Sequence, residues 1–255
     1  MTARLQNRTA LVTGATSNIG RAIALAFGAE GAHVAVSGRD RERGEAVVAE
    51  IRGKGGSADF VPADLDGSAA VSRRLADDAR QVLGGRIDVL VNNAGIFPGH
   101  GTPDTDEETF DRIFGVNVKA PFFLTAAVAP AMAEAGGGVI VNLGSWVTRL
   151  GLPLGVVYSS TKGALETLTR SWAAEFGPRG VRVNAISPGV IHDRVPGEAA
   201  HPAEMMMHGT PAGTTGTPDA IAQAAVYLAS DDASFVHGIT LDVDGGRTTA
   251  AVIAP

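Results

Sequence analysis

Not one cysteine occurs among the 255 residues, which excludes disulfides and thiolate metal sites and permits, without requiring, a reducing compartment. Basic side chains are outnumbered, 21 against 27 acidic ones, for a net charge of -6 at pH 7. They are also scattered rather than clustered, so the electrostatic footprint of a nucleic-acid binder is missing and neither DNA nor RNA is expected as a partner. No apolar run reads as long enough to span a bilayer, and a first strand beginning near Thr9 leaves no room for an apolar signal-peptide core. No membrane association is expected, and a cytoplasmic location is. His33, His100, His192, His201, His208 and His237 form neither a His-Glu-x-x-His pattern nor another close ligand pair, so no metal is expected.

What is present is a regular alternation. Short apolar, β-branched runs recur at 9–13, 34–37, 60–62, 89–92, 139–142, 182–187 and 240–242, separated by longer stretches of helical spacing such as 21–30 and 68–82. Parallel strands need crossovers of about a dozen or more residues, and buried parallel strands are continuously apolar, as Val89-Leu90-Val91 and Val139-Ile140-Val141 are. The pattern predicts an α/β chain: a Rossmann-like, doubly wound parallel sheet of about seven strands with helices on both faces. Residues 1–255 are read as a single domain. The one stretch without clear periodicity, 190–216, is rich in Pro, Gly, Thr and His and is expected to be a substrate-binding lid.

The first strand runs into Thr13-Gly14-Ala15-Thr16-Ser17-Asn18-Ile19-Gly20-Arg21, a glycine-bearing turn that opens a helix. Such a turn lets the backbone and the helix N-terminus approach a pyrophosphate. It is not a Walker A loop, because Arg21 follows the second glycine where Lys-Ser/Thr would be needed. Asn18 occupies the place of a third glycine, and asparagine is among the side chains that best tolerate positive φ. The second strand ends in Ser37-Gly38-Arg39, with no acidic residue to accept from both ribose hydroxyls. Gly38 leaves space, and Arg39 offers a planar cation suited to a 2′-phosphate, so NADP(H) is favoured over NAD(H). The competing reading of Arg39 is a solvated charge opening the next helix.

Tyr158 and Lys162 stand at i and i+4 in a segment of helical spacing and therefore share a face. An ammonium there would stabilise a phenolate and make the tyrosine a usable acid or base near neutrality. Ser145, thirteen residues earlier at a strand end, can hold a substrate oxygen beside that phenol.

The chain resembles the short-chain dehydrogenase/reductase family over nearly its whole length. The resemblance is carried by Thr13-Gly14 with Gly20, Asp64-Leu65, Asn92-Asn93-Ala94-Gly95, Asn117, Ser145, Tyr158 to Lys162, Pro188-Gly189 and Asp244-Gly245-Gly246. It implies Tyr158 as proton donor and acceptor, Ser145 as its orienting partner, Lys162 as the group that lowers the phenol pKa and holds the nicotinamide ribose, and Asn117 as anchor of a relay water. It implies cofactor contacts from Gly14, Ser17, Asn18, Ile19, Gly20, Arg39, Asp64, Leu65, Asn92, Ala94, Gly95, Tyr158, Lys162, Pro188, Gly189 and Ile191. For Asn93 a strand-terminating turn weighs equally with a place in the cleft. A family threonine that meets the nicotinamide carboxamide is replaced here by Asp193, which can accept from an amide but cannot donate unless protonated.

Substrate contacts are expected from Ser145, Trp146, Tyr158 and His192, in a pocket completed by Ile96, Phe97, Leu152 and Met205 to Met207. This apolar set suits a hydrophobic or cyclic ketone. Core packing is the alternative for the methionines, and an exposed loop position for His192. The family resemblance further implies a homotetramer or homodimer through the helical segments 107–135 and 157–176. The expected activity is reversible hydride transfer between NADP(H) and a carbonyl or alcohol substrate, of the 3-oxoacyl or cyclic-ketone type. A serine hydrolase is disfavoured because Leu143 and Val147 stand where a nucleophile elbow needs glycine. A non-catalytic nucleotide sensor on the same fold is the alternative.

Overall fold

The computed structural model describes residues 3–153, 155–192 and 202–252. Seven strands, β1 (Thr9–Val12), β2 (His33–Gly38), β3 (Ser57–Pro62), β4 (Val89–Asn92), β5 (Gly138–Leu143), β6 (Val181–Pro188) and β7 (Thr240–Val243), form one sheet in the order 3-2-1-4-5-6-7. Every pairing is parallel. The seven expected runs each became a strand. The widest disagreement is at β3, which begins three residues before the expected run because its first half, Ser57-Ala58-Asp59, carries the polar residues of an edge strand.

The helices are α1 (Asn18–Ala29), α2 (Arg41–Gly53), α3 (Ala69–Val82), α4 (Glu107–Phe114), α5 (Ala120–Glu134), α6 (Val156–Phe176) and α7 (Pro218–Ala229). Successive strand residues alternate between the two sheet faces. Val12, Val89 and Val91 pack with Phe27 of α1, Val47 of α2 and Ile221 of α7, whereas Leu11, Leu90 and Ile140 pack with Leu75 of α3, Leu124 of α5 and Leu165 of α6. Burying a side chain of this size stabilises by about 1.5–3 kcal/mol, so both faces of each central strand hold the helices in place.

Between α4 and α5 the chain makes a π-helical turn, Gly115–Lys119, with Asn117 inside it. The three segments form one helical run, Glu107–Glu134, long and apolar enough by length and composition to cross a membrane. This corrects the expectation that no such run exists. Half of its apolar window is buried in the protein, with Leu124, Val128 and Met132 packed in the core beside Leu75 and Ala79 of α3. Its apolarity is that of a helix covered by a sheet and a neighbouring helix.

Of the expected lid, 190–216, residues 193–201 lie outside the described residues, Asp193 and His201 with them. Its base is closed by a parallel bridge between Ile191 and Gly216, where the His192 N–H donates to the Gly216 carbonyl at 3.0 Å.

Candidate active site

The strand order reverses between β1 and β4, and crevices outside the carboxyl ends of strands at such a switch point are where α/β sheets bind ligands. A cleft of about 1100 Å³ opens there. Gly14, Ser17, Asn18, Ile19, Gly20, Arg39, Asp64, Leu65, Ala94, Gly95 and Tyr158 line it, so the structure gathers eleven expected cofactor residues on one wall system. Thr16, Ser37, Arg43 and Asn93 join them.

The glycine turn is tight enough that a Cβ on Gly20 would stand 2.2 Å from the Gly14 carbonyl oxygen. Asn18 has φ +46°, the positive value its amide side chain tolerates. Ser17 sits at the N-cap of α1 without a side-chain capping bond, so its hydroxyl and the first N–H groups of the helix remain available to an anion. Asn93 pins this turn from across the sheet: its Nδ2 donates to the carbonyls of Thr13 and Gly14 at 2.8 and 3.1 Å. The residues present therefore fit a dinucleotide: a tight turn that requires glycine at 14 and 20, a helix N-terminus with open donors and a cleft of about 1100 Å³.

Asn92 was expected in the cleft and is not there. It is 3% exposed, and its amide donates to Asn142 Oδ1 at 2.9 Å and to Thr125 Oγ1 at 3.3 Å. The two asparagines are adjacent at a strand end, so one faces the cleft and the other the helix layer.

At the far end of the cleft, Arg39 Nε lies 3.6 Å from Asp64 Oδ1, with both side chains more than half exposed. Arg43, absent from the expected set, adds a second guanidinium. Asp40 caps α2 by accepting from the Arg43 N–H at 3.0 Å and pairs with Arg43 Nε at 2.6 Å, and these bonds hold its carboxyl below the ordinary range. The i and i+4 spacing of Arg39 and Arg43 was the available signal, hidden in a run of alternating charges.

A second pocket adjoins the first, sharing Asn18, Ile19, Asn93, Gly95, Ile96 and Tyr158 with it. Ser145, Trp146, Lys162, Pro188, Gly189 and Ile191 line it, and Ile96, Phe97, Leu152 and Met206 supply apolar walls. Met205 is exposed and Met207 fully buried, so only the middle methionine faces this space. Among the described residues, His192 does not line it, in contrast to the expectation. Its backbone bond to Gly216 places it at the bridge that joins the two ends of 190–216.

Ser145 lines the same pocket as Tyr158. Burial raises the phenol above its ordinary value of 10, and the nearby Ser145 hydroxyl offsets part of that rise. The sequence predicts a phenol lowered by Lys162, but here the ammonium donates to the Leu143 carbonyl at 2.7 Å and lies 5.5 Å from the tyrosine ring centroid. The lysine is 4% exposed, and burial pulls it down from 10.5 to about 8. Phe97 meets the Tyr158 ring edge-on at 4.9 Å.

Asn117 is buried behind Gly95. Its Oδ1 accepts from the Ile96 N–H at 2.9 Å, and its Nδ2 donates to the Ile96 carbonyl and to Thr161 Oγ1, each at 3.1 Å. Thr161 Oγ1 in turn donates to the Tyr158 carbonyl at 2.6 Å. Asn117 thus braces the exit of β4 against the turn of α6 that carries the phenol, which leaves one Oδ1 lone pair for the relay water expected of it. A π-turn at this point is the kind of local irregularity that marks functional sites.

Comparison with known proteins agrees with this geometry. A family model described as enoyl-(acyl carrier protein) reductase matches residues 14–248. The chain is 37% identical over 252 residues to cyclopentanol dehydrogenase of Comamonas sp., covering 96% of this chain and 98% of the relative. Among solved structures, it is 45% identical to a short chain dehydrogenase/reductase family protein, with a TM-score of 0.86 over 97% of this chain and 100% of the other. It is 34% identical to the angucycline C-6 ketoreductase LanV with bound NADP, with a TM-score of 0.89 over 98% and 99% of the two chains.

Proposed function

The chain belongs to the short-chain dehydrogenase/reductase family, and we propose that it is an NADP(H)-dependent ketoreductase that works reversibly on a cyclic or 3-oxoacyl ketone. That it is an oxidoreductase acting on alcohol or ketone groups follows from the family. The observation that carries the proposal is the meeting of Ser145, Tyr158 and Lys162 in the second pocket, with Tyr158 lining the first as well.

A nicotinamide nucleotide held by the glycine turn, Arg39 and Lys162 would supply or take up the hydride; the chain's own residues handle the oxygen and its proton. Tyr158 Oη donates its proton to the substrate carbonyl oxygen, or takes it from the alcohol in the reverse direction. A phenol raised above 10 keeps that proton at neutral pH, which suits the donor role. Ser145 Oγ orients both the phenol and the substrate oxygen. Lys162, buried and cationic below about pH 8, places a positive charge beside the site and favours the transient phenolate left after donation. Asn117 and Thr161 hold the α6 turn that carries the phenol.

The preference for NADP(H) is supported by Arg39 and Arg43 at one end of the cleft, two guanidinium groups suited to a 2′-phosphate, and by the NADP-bound neighbour. The cyclic-ketone class is supported by the apolar walls of the second pocket and by the relatives that act on cyclopentanol and an angucycline. Residues 190–216 act as the lid, and assembly is a homodimer or homotetramer through the helical segments 107–135 and 157–176. Titration with NADPH and with NADH, followed by a ketone panel, tests the reading: tighter NADPH binding and turnover support it, and binding of neither nucleotide overturns it. Sedimentation as a monomer at micromolar protein, a concentration at which a stable interface would hold, would overturn the assembly.

A further inference from the structure

The turn after β7 touches both the substrate pocket and the lid. Asp244 is buried at 6% exposure, and its carboxylate accepts from the Gly246 N–H at 2.9 Å, the Thr248 N–H at 2.9 Å and the Thr248 hydroxyl at 2.6 Å. On one side the Gly245 carbonyl accepts from the Ala212 N–H at 3.1 Å, and a Cβ on Gly246, where φ is +80°, would stand 2.6 Å from Pro211 Cγ. On the other side the turn projects Arg247, whose guanidinium carbon lies 4.1 Å from the centroid of the Trp146 ring. The Arg247 Nε is buried and, among the described residues, has no hydrogen-bond partner.

A buried donor without a partner is costly, and the guanidinium keeps its place because the indole face attracts it. Trp146 follows Ser145 directly, is 5% exposed and forms a wall of the pocket that holds Tyr158. The other walls named for that pocket are apolar, and its polar groups, Asn18, Asn93, Ser145, Tyr158 and Lys162, are already engaged in the nucleotide cradle or in proton transfer. Among the described residues, none is left to receive a charged substituent. The Phe97 ring meets the phenol edge-on and the Trp146 indole lines the same pocket, which favours a flat apolar substrate over a branched or charged one.

We infer that Arg247 is a positioning residue: stacked on Trp146, it fixes the indole as a wall of the substrate pocket, ties that wall to residues 207–212, and fits the pocket to an uncharged ketone or secondary alcohol with an apolar ring beside the reacting carbon. The substrate clause rests on the ketoreductase reading above; the Arg247–Trp146 contact does not.

The test uses full-length protein carrying Trp172→Phe, which leaves Trp146 as the only tryptophan. Arg247→Met and Arg247→Lys are compared in this background, with NADPH, a cyclic ketone and a small acyclic ketone. Loss of one partly desolvated cation–π contact predicts that Arg247→Met raises KM for the cyclic ketone about fivefold to thirtyfold, with kcat and the NADPH Kd within about twofold of the parent. KM for the acyclic ketone changes less, Trp146 emission shifts, and Arg247→Lys recovers most of the loss. An unchanged cyclic-ketone KM with unchanged Trp146 emission overturns the inference, as does a Met variant whose NADPH Kd rises in step with KM. A parent protein that turns over no ketone overturns the ketoreductase reading and the substrate clause together. In that event the Trp146 emission of the Met variant still decides the contact: a shift supports it, and no shift removes it.

Discussion

At the reacting end of the cleft, Lys162 is 4% exposed and Ser145 7%, and Tyr158, Lys162 and Asn117 are each fixed by neighbours on β5, α6 or the π-turn. At the opposite end the side chains of Arg39 and Asp64 are 63% and 75% exposed, joined by a 3.6 Å contact that water competes with. Both ends lie at the carboxyl edge of the same sheet, so the contrast is one of burial. Buried groups hold one geometry, which proton transfer requires. Exposed cations can bind a phosphate with graded affinity and can be exchanged without disturbing the core.

The contrast breaks most visibly at Tyr158. Tyr158→Phe removes the proton while keeping the ring against Phe97, and kcat is expected to fall about 10²–10⁴-fold with NADPH binding preserved. Stopped-flow turnover together with a nucleotide titration measures both; equal losses in both would mean that the phenol is a binding group.

At the other end the effect is smaller and falls on affinity alone. Replacing both Arg39 and Arg43 by alanine should weaken NADPH binding by about tenfold to a hundredfold, the range for losing hydrogen bonds to a charged group. NADH binding and kcat should stay unchanged. Fluorescence titration with the two nucleotides checks this, and a parallel fall in NADH affinity would show that the arginines act through the fold.

Burial of Lys162 gives a pH signature that the exposed end lacks. The folded lysine titrates near 8, the unfolded one near 10.5, so the unfolded state binds more protons between those values and stability rises with pH. The raised phenol of Tyr158 acts oppositely above its unfolded value of 10. The window is therefore about pH 8 to 10, with a gain from Lys162 of at most about 3 kcal/mol. Denaturant unfolding across this range should show the rise in the parent and a flatter profile in Lys162→Met; identical profiles would remove the lysine from the account.

The smallest expected effect lies between the two ends. Asn93→Ala frees the Thr13 and Gly14 carbonyls and should cost about 1–2 kcal/mol of stability, which for a chain of this size is a few degrees of Tm. NADPH affinity falls with it if the glycine turn loosens. Calorimetry and titration of the same variant separate the two effects.

Most of this architecture was legible because its signals are local. The strand at 89–92 was placed residue for residue because a parallel strand buried on both faces is apolar without interruption. Tyr158 and Lys162 share one helix, so their spacing alone sets their face. What was not legible depends on register or on distant partners. Sequence does not say which of Asn92 and Asn93 turns toward the cleft, and strand period and bulk decided for Asn93. The phenol was expected to be lowered, because nothing local shows that the lysine donates to Leu143, nineteen residues away. Arg247 and Trp146 meet across a separation of about a hundred residues, through a contact that leaves no periodic trace in the chain.

The central claim is that this chain transfers a hydride, and isotope transfer tests it most directly. NADPH carrying deuterium at nicotinamide C4 is incubated with the protein and a panel of cyclic and 3-oxoacyl ketones, and the alcohol formed is examined by mass spectrometry and NMR. The account predicts deuterium on the new carbinol carbon, with stereospecific use of one C4 position, and almost no product from the Tyr158→Phe variant. NADPH bound without any labelled alcohol, or product formed equally well without Tyr158, would contradict it.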